Sequence, residues 1–365
     1  MHAHAAGRAG PSTTAQVADR CDTLRVIRYP RPLVPGDVVG VTSPSSGVAA
    51  HHRARLDVAV DTLRSLGFQV RVGDVMDGDG IAAAPPAERA AELAAMLTDP
   101  AVRAVVPPWG GEIAIDLLDR LDWHALADDP TWLVGFSDIS TLLLPLTLLT
   151  GVATLHGQNL MDTPYRVPSP LLPWTDVVTA PPGATLTQGA SAMHRAEGFD
   201  DWTTGPTVTE HTLDTPGGWS RLDDDADVHV SGRLVGGCLE TLTHLVGTPY
   251  GDLASFVHEH APEGVILYLE NAESNAADVT RRLFQLRYAG WFEHANAVLI
   301  GRTRGADLPG FTQHDGVRHA LDGLGIPVVA DVDCGHVPPH LSLVNGALAT
   351  VTHGPSGSRI TQTLV

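Results

Sequence analysis

Several short segments carry side chains suited to acyl-transfer chemistry. In TWLVGFSDIS, residues 131–140, an apolar run breaks at Gly135 and sets Ser137 at the apex of a strand–turn–helix. Such a turn lifts a hydroxyl above the sheet edge and aims the first helical N–H groups at charge developing there. The match to G-x-S-x-G is partial, because Ile139 holds the last position. Ser137 and Asp138 also fit a plain helix N-cap. In PPWGGE, residues 107–112, Gly110 and Gly111 permit close backbone approach. The N–H groups of Gly111 and Asp138 would together form an oxyanion hole; an ordinary tight turn is the alternative. Glu270 ends the apolar run VILYLE, either at the mouth of a cleft or capping the next helix, with Glu273 a nearby competitor. His336 lies in DVDCGHVPPH just past the run PVVADVD, a position suited to a general base or to a structural histidine.

Metal and phosphate chemistry fit less well. Asp331, Asp333, Cys334, His336 and His340 form a dense set of candidate ligands, but Pro338 and Pro339 break any helix that would align the two histidines. No metal site and no cofactor are expected. GRLVGG lacks the Lys-Ser/Thr of a phosphate loop.

The elements that must position these residues alternate. GDVVGV, FQVRVGD, VRAVVPPWGG and TWLVGFSD read as strands, separated by helical patterns over 51–66, AAERAAELAAMLTDP and IAIDLLDRLDW. Near-continuous apolar strands alternating with helices predict an α/β fold with a doubly wound parallel sheet. This N-terminal domain spans about residues 25–165 and carries Ser137. Residues 166–230, rich in Pro, Gly and Thr, read as a connecting region with short strands. Residues 231–365 read as a smaller α/β C-terminal domain carrying Glu270 and His336. Residues 1–24 read as a flexible extension without the apolar stretch of a signal peptide.

Composition narrows the function classes. The net charge is −19 and every basic side chain other than His is Arg, so a nucleic-acid partner is not expected. No apolar run reaches membrane-spanning length. Three scattered cysteines, Cys21, Cys238 and Cys334, suit a reducing, cytoplasmic setting better than a disulfide framework.

In order and chemistry together, the segments resemble the LD-carboxypeptidase family, which includes murein tetrapeptide carboxypeptidases and microcin C immunity proteins. The likeness runs from about Pro35 to Gly346. It rests on GDVVGVTSPSS, WGGEIAIDLLDRLDW, WLVGFSDISTLL, TGVATLHG, GRLVGGCLETLTHLVGT, ILYLEN and DCGHVPPHLSLVNGA. The resemblance implies a Ser-Glu-His triad at Ser137, Glu270 and His336, an oxyanion hole at Gly111 and Asp138, a small peptide-like substrate and a homodimer. Trp109 and Gly110 would then border the substrate pocket, and Trp219 would stack on a ring such as a nucleobase; ordinary packing is the alternative for both tryptophans. Many relatives have Asn where this chain has Cys238. The immunity branch carries a Lys shortly after the glutamate, absent from Glu270-Asn271-Ala272-Glu273-Ser274. A non-catalytic binding homologue and a metal hydrolase centred on His336 are the competing readings.

Overall fold

The apolar runs become the parallel strands of a first sheet. In the computed structural model, which describes residues 25–223 and 227–365, these are Val38–Val41 (β1), Gln69–Val72 (β2), Val102–Val105 (β3), Trp132–Gly135 (β4) and Thr154–His156 (β5). They stand in the order β2-β1-β3-β4-β5 with every neighbour parallel. Every residue of β4 is buried, as a strand covered on both faces requires. The chain proceeds from β1 outward to β2, then returns to the other side for β3. The loops after β1 and β3 therefore part at a topological switch point, where doubly wound folds bind ligands.

A second sheet follows. Its strands are Thr185–Gly189 (β6), Ser220–Arg221 (β9), Val228–Cys238 (β10), Val265–Glu270 (β11), Ala295–Gly301 (β12), Val328–Val332 (β13), Leu348–Gly354 (β15) and Gly357–Thr363 (β16). The order is β6-β16-β15-β10-β11-β12-β13-β9, parallel from β10 to β13 and antiparallel outside. Met193–His194 (β7) and Thr215–Pro216 (β8) make a separate two-stranded ribbon. The segment 166–230 thus contributes edge strands β6 and β9 to the second sheet. In return, Leu343–Asn345 (β14) joins the first sheet antiparallel to β5.

The helix Ser140–Thr150 sits where the two sheets meet. Its sequence STLLLPLTLLT is apolar nearly all round, and it is buried from Ser140 to Leu148, as such a helix must be. It packs on β5, β10 and β14. At its start Ser140 Oγ accepts the Cys238 N–H at 3.1 Å, which holds the Ser137 turn beside the end of β10, where Cys238 is paired with Glu270 of β11.

One detail differs from the sequence reading. IAIDLLDRLDW does not form one helix; it divides into short turns at Ala114–Leu117 and Trp123–Leu126. Asp122 caps the second by accepting the Ala125 N–H, a local bond that competes with helix continuation. The extension read over residues 1–24 lies outside the described residues. Among the described residues, no helix is long and apolar enough to cross a membrane.

Candidate active site

The site is assembled from the carboxyl ends of strands in both sheets. Gly135 ends β4, and Ser137 follows with φ of 62°. A left-handed serine is strained and persists where its surroundings over-determine it. Those surroundings are visible. The Phe136 N–H donates to Asn159 Oδ1 at 3.2 Å. A Cβ on Gly135 would stand 2.7 Å from the same oxygen. Asp138, buried, accepts from Ser45 Oγ at 2.6 Å, the Ala114 N–H at 2.8 Å and Thr141 Oγ1 at 3.1 Å. The loops after β1 and β3 and the Ser137 turn are thus joined by one carboxylate.

His336 reaches this turn from the second sheet. Its Nε2 lies 3.0 Å from Ser137 Oγ, and its Nδ1 lies 2.8 Å from Glu270 Oε2. Glu270 is wholly buried at the end of β11. Burial alone would raise its pKa, but His336 and His156 more than offset this and hold the carboxyl well below its usual range. For His336, burial pulls downward and the Glu270 carboxylate pulls upward more strongly, so its pKa is raised. An imidazole so placed can take a proton from the serine hydroxyl while the carboxylate stabilises the resulting cation.

Glu273 is not the histidine's partner. Its N–H, with those of Ala272 and Ser274, donates to the carboxylate of Glu240. Glu240 thereby ties down the loop leaving Glu270. Cys238 is buried and donates its thiol to the same carboxylate at 3.3 Å.

Two lobes open on either side of Ser137 and His336. One is lined by Gly111, Glu112, Asp138, Glu240 and Glu273. Gly111 has φ of 142°, and a Cβ there would lie 2.4 Å from the hydroxyls of Ser45 and Ser46. The other lobe is aromatic, lined by Trp109, Gly110, Phe136, Tyr165 and Trp202. Trp109 donates its Nε1–H to the Ser46 carbonyl at 3.2 Å.

Trp219 requires a correction. It is 7% exposed in the second core and donates its Nε1–H to Asp333 Oδ2 at 2.9 Å. It lines neither lobe, because the short strand β9 carries it to the far edge of the second sheet. The connecting region does supply other aromatic residues to the cleft, Phe199 and Trp202, and the Trp202 Nε1–H donates to the Tyr165 hydroxyl at 2.8 Å. Arg55 stacks over both rings, 4.7 Å from Tyr165 and 5.0 Å from Trp202. Nothing in the loop's sequence distinguished Trp202 from Trp219. Sequence reasoning also passed over His156 and Asp162. Burial pushes Asp162 up to about 6, partly offset by Arg55 and His336.

Both nitrogens of His336 are engaged by Ser137 and Glu270, which leaves no lone pair for a metal. Among the described residues, no group of three His, Cys, Asp or Glu side chains is arranged to hold a metal ion.

Comparison with known proteins agrees with this architecture. The family model of the LD-carboxypeptidase N-terminal domain matches residues 39–157, and that of the LD-carboxypeptidase C-terminal domain matches residues 231–351. A putative carboxypeptidase of Streptomyces coelicolor is 30% identical over 89% of this chain and 94% of its own length. The microcin C7 self-immunity protein MccF of Escherichia coli is 25% identical over 91% of this chain and 95% of its own. A solved structure of MccF in complex with glutamyl sulfamoyl guanosine has a TM-score of 0.76 at 24% identity, covering 92% of this chain and 98% of that one, and shares the fold.

Proposed function

The chain belongs to the LD-carboxypeptidase family of peptidase-like hydrolases, and we propose that it cleaves an amide bond in a small peptide-like substrate with Ser137, His336 and Glu270 as its triad. The observation that carries the reading is the unbroken hydrogen-bonded line from Ser137 Oγ through His336 to Glu270 Oε2, at 3.0 and 2.8 Å.

In this mechanism the imidazole carries its proton on Nδ1, which stays there and is hydrogen-bonded to Glu270 Oε2. Ser137 donates its hydroxyl proton to His336 Nε2 as Oγ attacks the substrate carbonyl. The tetrahedral oxyanion is met by the N–H groups of Gly111 and Asp138, each such donor typically worth about 2.7–4 kcal/mol of barrier. His336 then gives the proton to the leaving nitrogen as the C–N bond breaks. Water, deprotonated by the same imidazole, then attacks the acyl carbon; the bond to Ser137 Oγ breaks, His336 returns the proton to that oxygen, and the acyl group leaves as a carboxylate.

Two substrate classes fit the family: a murein tetrapeptide losing its terminal D-Ala, and a peptidyl- or aminoacyl-nucleotide of the microcin C kind. Glu112 and Glu273 are exposed on one lobe of the cleft, and the acidic-substrate lysine of the immunity branch is absent after Glu270. Arg282 also lines that lobe, but the carboxylates of Glu112, Asp138, Glu240 and Glu273 outnumber it, so like-charge repulsion there disfavours a substrate with an acidic group. The resemblance further suggests a homodimer, which sedimentation would test.

The deciding experiment incubates wild type and Ser137→Ala with murein tetrapeptide and with an aminoacyl sulfamoyl nucleoside, followed by mass spectrometry. Cleavage of either by wild type alone supports the triad. Equal turnover by Ser137→Ala would overturn it.

A further inference from the structure

His156 is the C-terminal residue of β5 and is 1% exposed. Neither of its ring nitrogens has a hydrogen-bond partner among the described residues. The same is true of Glu270 Oε1, the carboxylate oxygen turned away from His336. These orphaned atoms face each other, with His156 Nε2 3.8 Å from Glu270 Oε1. Buried polar atoms left without partners are rare and costly. This separation leaves no room for a water between them, and a side-chain movement of about 1 Å would bring them to hydrogen-bond distance.

We infer that His156 is a positioning residue that donates its Nε2–H to Glu270 Oε1, so that the triad carboxylate is held between two imidazoles. The inference rests on the triad reading for its functional meaning. The tautomer follows from the geometry. With the proton on Nδ1, the Nε2 lone pair would oppose a carboxylate lone pair, and a buried N–H would have no acceptor. With the proton on Nε2, only a lone pair is left among apolar neighbours, which costs less. The ring is clamped edge-on between Phe136 and Tyr268, with centroids 6.2 and 5.3 Å away, so it cannot swing elsewhere.

The consequence concerns charge. A second donor on Glu270 fixes the direction of Oε2 and moderates its pull on the His336 proton. The other titratable groups around Glu270 are Cys238, Cys334 and Tyr268, all pushed up by burial and so neutral, His340, pushed down by burial, and the carboxylate of Glu240, held down against burial by the N–H groups it accepts. Around His336 they are Glu240, Asp162 and His340. None of these supplies the missing donor to Oε1.

The test compares wild type, His156→Phe and His156→Gln by nitrogen-15 NMR of the histidine rings and by kinetics. NMR needs no substrate, so it stands even if the triad reading fails on Ser137→Ala. We expect wild-type His156 as the Nε2–H tautomer. In His156→Phe the His336 pKa should rise further, and kcat should fall about 10- to 100-fold with KM within about twofold. The glutamine, which keeps a donor, should restore most of both. An Nδ1–H tautomer in wild type, an unmoved His336 titration in His156→Phe, or a glutamine variant as impaired as the phenylalanine would overturn the inference. Should the variants not fold, the wild-type tautomer alone decides.

Discussion

Gly110 lies against Ser137 so closely that a Cβ on the glycine would stand 2.7 Å from the serine Cβ and 3.0 Å from the Asp138 nitrogen. The loop after β3 and the turn after β4 are therefore packed at backbone contact, and neither can move alone. Gly110→Ala should displace Ser137 without disturbing either sheet. We expect kcat/KM to fall about 100-fold, the scale of a 1 Å misplacement, with the far-ultraviolet circular dichroism spectrum unchanged.

The pH profile follows from the His336–Glu270 pair. In the proposed mechanism His336 must be neutral to act as base, and its pKa is raised. Activity should therefore be lost as pH falls, with the midpoint of the kcat/KM acid limb above ~6.5, the ordinary imidazole value. Glu270→Gln removes the raising charge, so the limb should move down while kcat drops on the order of 10⁴-fold. The stability signs differ. The raised His336 contributes stability below its ordinary pKa and loses it as pH rises through the raised value. The depressed Glu270 contributes above the ordinary carboxylate range and loses it as pH falls through its lowered value. Urea denaturation across pH, compared with Glu270→Gln, measures both limbs.

Asp138 ties three loops through Ser45, Ala114 and Thr141. Asp138→Ala would leave the Ala114 N–H unpaired and the buried Ser45 hydroxyl, which would still accept the Ile113 N–H, without an acceptor for its proton. A loss of about 2–4 kcal/mol is expected from chemical denaturation, together with loss of turnover.

Glu240 accepts three consecutive N–H groups from residues 272–274. In Glu240→Ala the Ala272 and Glu273 N–H groups lose that partner, Ser274 keeps only Asn271 Oδ1, and the segment after Glu270 loosens. Amide hydrogen exchange should accelerate at 272–274 and remain slow in β12. A variant in which exchange there is unchanged would count against this role.

Trp219→Phe tests the reassignment of that residue to the core. Its indole N–H bonds the buried Asp333, which also pairs with Arg302 at 2.7 Å. Stability should fall by about 1–3 kcal/mol while kcat and KM stay within about twofold of wild type. Trp202→Ala, at the cleft, should instead raise KM.

The difference between those two tryptophans shows where sequence reading ended. Both lie in the Pro- and Gly-rich stretch between the two sheets, and both are flanked by turn residues. Only the pairing of Ser220 and Arg221 with β13 carries one inward to the core of the second sheet. Asp138 is another case. The local pattern allowed an N-cap or an oxyanion donor, and the contacts with Ser45 and Ala114 belong to chain segments remote in sequence. His156 lay inside TGVATLHG but nothing in that segment singled it out, because an isolated histidine on a buried strand is common.

By itself, the sequence determined what depends on near neighbours. Apolar runs specified the parallel strands, glycines specified the turns at their carboxyl ends, and each turn held a residue able to do chemistry. Tertiary structure alone decided which of those residues meet. Ser137 and His336 are 199 residues apart, and Glu270 and His336 are 66 apart. Local propensity acts over a few residues and says nothing about such distances. They were set when the Ser140–Thr150 helix was buried between the two sheets and β14 crossed from one to the other, bringing the ends of β4, β11 and β13 to one cleft.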